Sequence, residues 1–267
     1  MSSVLEKIPS MTQQDLDALR RNALRILESA TEAKKLDYAE EVLSAIDEQL
    51  ERRYLPGMIK TFRNVYPGGF YGEKQAVEER EYKLAACHRF QELLSQPVYA
   101  DLMEAEDYSE IYNRCANLVG MTNLIQGSFE KPQLLDSIRR PEHADKFFPA
   151  LFSVLYGDAA IMVRFGEWCS VLTDLELSKW TYATYFLFLS NPEKYMFVKP
   201  EMLKKSISLC RYPLEYESQP SAELYSEVLA YSNWLKSKIA ELKPRDMIDV
   251  HSFMWHMAPT GKWAENE

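Results

Sequence analysis

Histidines, cysteines and paired carboxylates are the side chains that most often carry reaction chemistry, and this chain of 267 residues holds only four of each of the first two. His251 and His256 are five positions apart, which fits neither the i,i+4 pair of a zinc-binding HExxH helix nor a zinc-finger spacing. Cys87 and His88 are sequence neighbours and point to different faces of a helix, which is not how a nucleophile meets its base. Cys87, Cys115, Cys169 and Cys210 form no CxxC pair, so they read as isolated buried thiols in a reducing compartment. There is no GxSxG for a serine hydrolase. The one glycine cluster, Tyr66-Pro67-Gly68-Gly69-Phe70-Tyr71-Gly72, lacks the GxxxxGK[ST] or GxGxxG pattern that cradles a phosphate. Glu81-Tyr82-Lys83 matches the ExK half of a metal-dependent nuclease motif, but that half belongs on a strand, and here it lies in a helical pattern. No catalytic residue, metal or cofactor is expected from these signals.

What remains are candidates for binding. Arg164 and Trp168 are four apart on one helix face, so the guanidinium can lie over the indole, either as a core-edge stack or as part of a base or phosphate site. Near the C-terminus Arg245, Asp246, Asp249 and His251 would make a small polar cluster beside Lys199, although the two acids also suit the positive end of a helix. Trp255 falls on the apolar side of that last helix. The candidate binding set is Arg164, Trp168, Lys199, Arg245, Asp249, His251 and Trp255. A formal charge of −9 opposes sequence-independent attraction to nucleic acid or anionic lipid. No apolar run approaches the roughly 20 residues that a membrane helix needs, so membrane association is not expected.

The elements that must position these residues are helical. From Trp180 to Leu189 the chain is almost continuously apolar and then stops at Asn191-Pro192, as a buried helix around which the rest is organised. Tyr195-Met196-Phe197-Val198 follows as an extended bridge or brief strand, and Pro200 opens the next helix. Tyr212-Pro213-Leu214-Glu215-Tyr216 is a second short extended segment. At the other end Thr12 and Asp15 form a helix-start pair, apolar stripes recur at helical spacing, and Ala30–Ala33 is the turn of an antiparallel hairpin. That hairpin is expected to end at Tyr54-Leu55-Pro56-Gly57. The predicted organisation is therefore a helical hairpin over 1–57 and a helical core domain over 58–267, with 58–74 as the connection. The fold class is all-α or mostly α, with at most a short two-stranded ribbon. Beyond Pro259 a polar, frayed tail is expected.

Asn191-Pro192, Tyr195–Pro200 and Pro244–Trp255 together resemble a paired C-terminal signature of a family of uncharacterised bacterial proteins. Some members of that family occur beside or fused to restriction and phage-defence proteins. The resemblance covers the C-terminal part of the chain and implies a context without a reaction, because it brings no catalytic residues. His256-Met257-Ala258 departs from the more aliphatic continuation of that signature. The expectation is a non-enzymatic accessory protein that binds another protein, cytoplasmic because the N-terminus shows no secretory signal, with self-association left open. The rival is a nucleic-acid- or nucleotide-binding factor whose basic pocket gathers Arg164, Lys199, Arg245 and His251. The two readings differ in whether those four side chains converge or scatter.

Overall fold

A computed structural model describes residues 4–257; the expected tail beyond Pro259 lies outside the described residues. The element order is α1 (Val4–Lys7), α2 (Gln13–Ser29), α3 (Ala33–Val65), α4 (Glu73–Gln75), a π-helical segment (Ala76–Arg80), α5 (Glu81–Leu94), α6 (Gln96–Glu104), α7 (Tyr108–Met121), α8 (Glu130–Ile138), α9 (Pro141–Tyr156), α10 (Ile161–Asp174), α11 (Trp180–Ser190), α12 (Pro200–Cys210), α13 (Ala222–Lys238) and α14 (Met247–His256). Among the described residues there is no strand, so the fold is all-α.

Helix α2 starts where the sequence places it, with Thr12 and Asp15 closing a reciprocal capping box. It pairs with α3 around a small core of its own, made of Ile8, Leu16, Ala23, Ala39, Val42, Ile46 and Leu50. The expected end of the hairpin at 54–57 does not occur. Helix α3 runs through Pro56 and Gly57 to Val65, because Met58, Ile59 and Phe62 continue its apolar stripe into the main core. Burial of those side chains, worth roughly 1.5–3 kcal/mol each when complete, outweighs the hydrogen bond and steric freedom that an interior proline removes.

The aromatic glycine cluster packs down as a tight turn. Gly69 takes φ +60°, a conformation that glycine adopts without strain. Gly68 and Gly72 approach so closely that a Cβ on Gly68 would lie 2.6 Å from the Gly72 Cα. This seats Phe70 against Phe62, ring centroids 4.8 Å apart.

Every residue of α11 from Trp180 to Leu189 is buried, and the helix packs against α5, α9 and α10. Its hydroxyls are turned to structural use inside that apolar setting. Tyr185 donates to the Leu118 carbonyl at 2.7 Å, and Thr184 Oγ1 accepts from the Val198 N–H at 2.9 Å. That last bond lays the Tyr195–Val198 bridge along α11 as an irregular segment, so the bridge and the Tyr212–Tyr216 segment do not form a ribbon.

Candidate functional site

The C-terminal block is built around the cap of α14. The Asp246 carboxylate accepts from the N–H groups of Ile248 and Asp249, satisfying donors that the first helical turn leaves open. The same carboxylate receives a two-point grip from Arg80, Nη2 to Oδ2 at 2.7 Å and Nη1 to Oδ1 at 2.9 Å. Arg80 Nη1 also reaches Asp249 Oδ1 at 3.0 Å. Arg245 closes on Asp249 from the other side, at 2.8 and 2.9 Å, and its Nη2 donates to the Phe70 carbonyl at 2.6 Å. Two carboxylates and two guanidiniums thus form one lock, with Asp246, Asp249 and Arg80 all buried. The Met247 N–H donates to the Pro192 carbonyl at 2.8 Å, so the Asn-Pro stop and the Arg-Asp block touch directly.

Arg80 ends the π-helical segment. A π turn widens the helix locally and is frequent at functional positions. Here it leads into α5 with Glu79, Arg80 and Lys83 engaged with α14 or with one another. Glu79 is a second hub: Lys83 Nζ lies 2.6 Å from its Oε2, His256 Nε2 lies 2.9 Å from its Oε1, and the Ser252 hydroxyl donates to Oε2 at 3.4 Å. The Tyr66 hydroxyl lies 3.1 Å from the same His256 nitrogen. Burial pushes the Glu79 carboxyl up, but the His256 hydrogen bond and the Lys83 ammonium outweigh it and hold the group at about 2.

Lys83 is fully buried, and burial lowers its pKa against the opposing pull of Glu79. His251 is buried beside Phe197 and Phe188, ring centroids 5.7 and 6.2 Å away, and neither ring nitrogen has a hydrogen-bond partner among the described residues. Burial first, and then the charge of Lys83, keep it neutral, well below the usual imidazole range. Lys199 is partly buried with its ammonium 4.8 Å above the Trp255 ring, and burial lowers it as well.

Of the sequence candidates, Lys199, Arg245, Asp249, His251 and Trp255 gather in this cluster. Arg164 and Trp168 do not join it, and they do not stack on each other. Arg164 donates to the carbonyls of Ser153, Val154 and Ala159, closing the C-terminal end of α9. Trp168 is buried with its indole N–H on the Ala183 carbonyl at 3.0 Å and its ring edge against Phe147. The basic pocket of four therefore scatters in part: Arg164 leaves it, Arg245 is neutralised by Asp249, and Lys199 and His251 remain.

Sequence reasoning missed Arg80, Glu79 and Tyr66 as members. Arg80 and Asp246 are 166 positions apart, so no local pattern joins them. The Glu79–Lys83 pair did carry a signal, the favourable i,i+4 order of acid before base. Glu81 of the ExK match is exposed, and it is Glu79 that pairs with Lys83.

Proton transfer near neutral pH is poorly served by a carboxyl held at about 2 and a buried imidazole kept neutral. The thiols fit nucleophilic work no better, because burial pushes Cys87 and Cys169 up to about 12. Among the described residues no group of histidine, cysteine and carboxylate side chains could hold a metal ion. No helix among them is long and apolar enough to cross a membrane. No family model, curated protein or solved structure matches the chain.

Proposed function

We propose that this protein works by binding, as a non-enzymatic helical accessory protein that docks another protein, cytoplasmic and acting in the restriction or phage-defence setting that its C-terminal signature suggests. The observation that supports this reading is the ionic lock. Arg245, Asp246 and Asp249, the most reactive-looking residues of the signature, are consumed in holding α14 to the π-helical segment and to Phe70. The signature is then architecture, and recognition falls to surfaces elsewhere. The hairpin is the best candidate: α2 packs mainly on α3, around a separate core. It displays Arg21, Arg25, Lys34, Asp37 and Glu41 together with two exposed apolar side chains, Leu24 at 44% and Tyr38 at 42%. Tyr38, Arg21 and Arg25 are of the residue types enriched at protein interfaces.

The test is capture from the native host with the intact chain, alongside a Leu24→Asp/Tyr38→Asp variant and a Lys199→Met variant, each first shown to fold. The expected result is one protein partner, lost with the hairpin variant and kept with Lys199→Met. Recovery of nucleic acid that is kept by the hairpin variant and lost with Lys199→Met would overturn the reading. That outcome would favour the second one, a nucleic-acid- or nucleotide-binding factor, for which the Lys199 ammonium, without a hydrogen-bond or ion-pair partner among the described residues, is the specific support.

A further inference from the structure

Among the described residues, Asp246, Asp249, Glu79 and Glu130 are each engaged by a cation, and one cation, Lys199, is left over. Arg80 is matched by Asp246 and Asp249, Arg245 by Asp249, Lys83 by Glu79, and Lys179 by Glu130 at 3.9 Å. Lys199 makes no hydrogen bond or ion pair with any described residue; Glu130 and Glu79 act on it only at a distance. In a chain of net charge −9, these described residues set five cations, Arg80, Arg245, Lys83, Lys179 and Lys199, against four carboxylates, and the surplus charge is half-buried. Two cations close together in a low-dielectric setting disfavour one another, and Lys199 does act in that sense on both Lys83 and His251.

His251 supplies the independent observation. Its imidazole is fully buried, both nitrogens lack partners, and one of them carries an N–H in the neutral ring. A donor left without a partner at such depth is costly and calls for an acceptor. Trp255 flanks the Lys199 ammonium on one side, and no hydrogen bond to a described residue uses the ammonium's N–H donors.

We propose that Lys199 and His251, backed by the buried Lys83 and edged by the Trp255 ring, form a binding site for a single oxyanion group, a phosphate or a carboxylate. The anion accepts from the Lys199 ammonium and the His251 N–H, neutralises the surplus charge and relieves the repulsion between the lysines. Glu79 stays on Lys83, Ser252 and His256, so the anion does not have to displace an existing partner. This site goes beyond the protein-docking reading and does not depend on the hairpin.

Calorimetric titration of the intact chain with inorganic phosphate and, separately, acetate tests it, with Lys199→Met and Lys204→Met as variants. Methionine keeps the aliphatic packing over the ring and removes the charge. Lys204 is a matched control, a lysine 5.5 Å from the Tyr216 ring that is already paired with Glu201 on the exposed surface. Saturable binding of phosphate or acetate that weakens at least tenfold in Lys199→Met and is unchanged in Lys204→Met is the expected result. A short single-stranded oligonucleotide forms a further arm: binding that phosphate displaces identifies a nucleic-acid backbone as the source of the group, and its absence beside phosphate or acetate binding identifies a small-molecule one. Nitrogen NMR of the histidine rings in the unmutated protein gives a readout that needs no variant, with the His251 signals moving along the same saturation curve. Absence of saturable binding by both anions, equal weakening in the two variants, or anion binding with the His251 signals unmoved would overturn the proposal.

Discussion

Replacing Arg80 by methionine removes the centre of the lock while keeping most of its aliphatic volume. Arg80, Asp246 and Asp249 have side chains 10%, 10% and 0% exposed, so the carboxylates left behind cannot be rescued by solvent. Breaking a buried ion pair by deleting one partner costs about 3–5 kcal/mol. The lower end applies here, about 3 kcal/mol, because Asp249 retains Arg245 and Asp246 retains its two backbone N–H donors. Asp246→Asn keeps the cap and deletes only the charge, so it should cost less, about 1–2 kcal/mol. The double variant should cost less than the sum of the two, by about 1.5 kcal/mol, since once Arg80 is gone a neutral amide at position 246 is easier to bury than a carboxylate. Urea unfolding followed by far-UV circular dichroism measures all three, with Arg89→Met as reference. Arg89 pairs with Glu92 at 2.7 Å on an exposed face and should change stability by less than about 0.5 kcal/mol. If Arg80→Met proves no more damaging than Arg89→Met, the lock is not what fastens α14.

The Glu79 carboxyl is held at about 2 against an ordinary 4.5. Its contribution is therefore complete above pH 4.5 and is lost as pH falls towards 2, up to about 3 kcal/mol; acid unfolding should show a shallower limb across that window in Glu79→Gln, and an identical limb would refute the assignment. The same variant should be less stable than the unmutated protein at neutral pH by about 2–4 kcal/mol, read from urea midpoints, because it leaves the Lys83 ammonium buried without its counter-charge. Gly57 lies inside α3, and a Cβ there would meet nothing within 4 Å; Gly57→Ala should raise stability by about 0.5–1 kcal/mol, and a loss in thermal melting would show that α3 needs its flexibility beside Pro56. Titration of the native protein with a thiol reagent at pH 8 should label Cys87, Cys115 and Cys169 only after denaturant is added, since all three are buried with raised pKa values.

Local features read correctly from the sequence are those whose cause lies within about one helical turn. The apolar run Trp180–Leu189 became a helix buried on all sides, Thr12 and Asp15 became a capping box, Pro200 opened α12, and the stripes of α2 and α3 met in a hairpin core. Where the outcome turned on energies arising between distant segments, local rules failed. Pro56 reads as a stop, yet packing of Met58, Ile59 and Phe62 against the body carries α3 through it. The composition of Tyr195–Val198 reads as an extended bridge or a brief strand, and the hydrogen bond to Thr184 with burial against α11 decides for the unpaired bridge. Arg164 and Trp168 share helical spacing, but unsatisfied carbonyls at the end of α9 compete successfully for the guanidinium. The sequence alone thus determined an all-α chain with a buried central helix and a polar C-terminal block. Only the tertiary structure decided which charges that block would meet, because Arg80 and Asp246 attract strongly once water is excluded between them, and burial is a property of the assembled core that no short stretch of sequence carries.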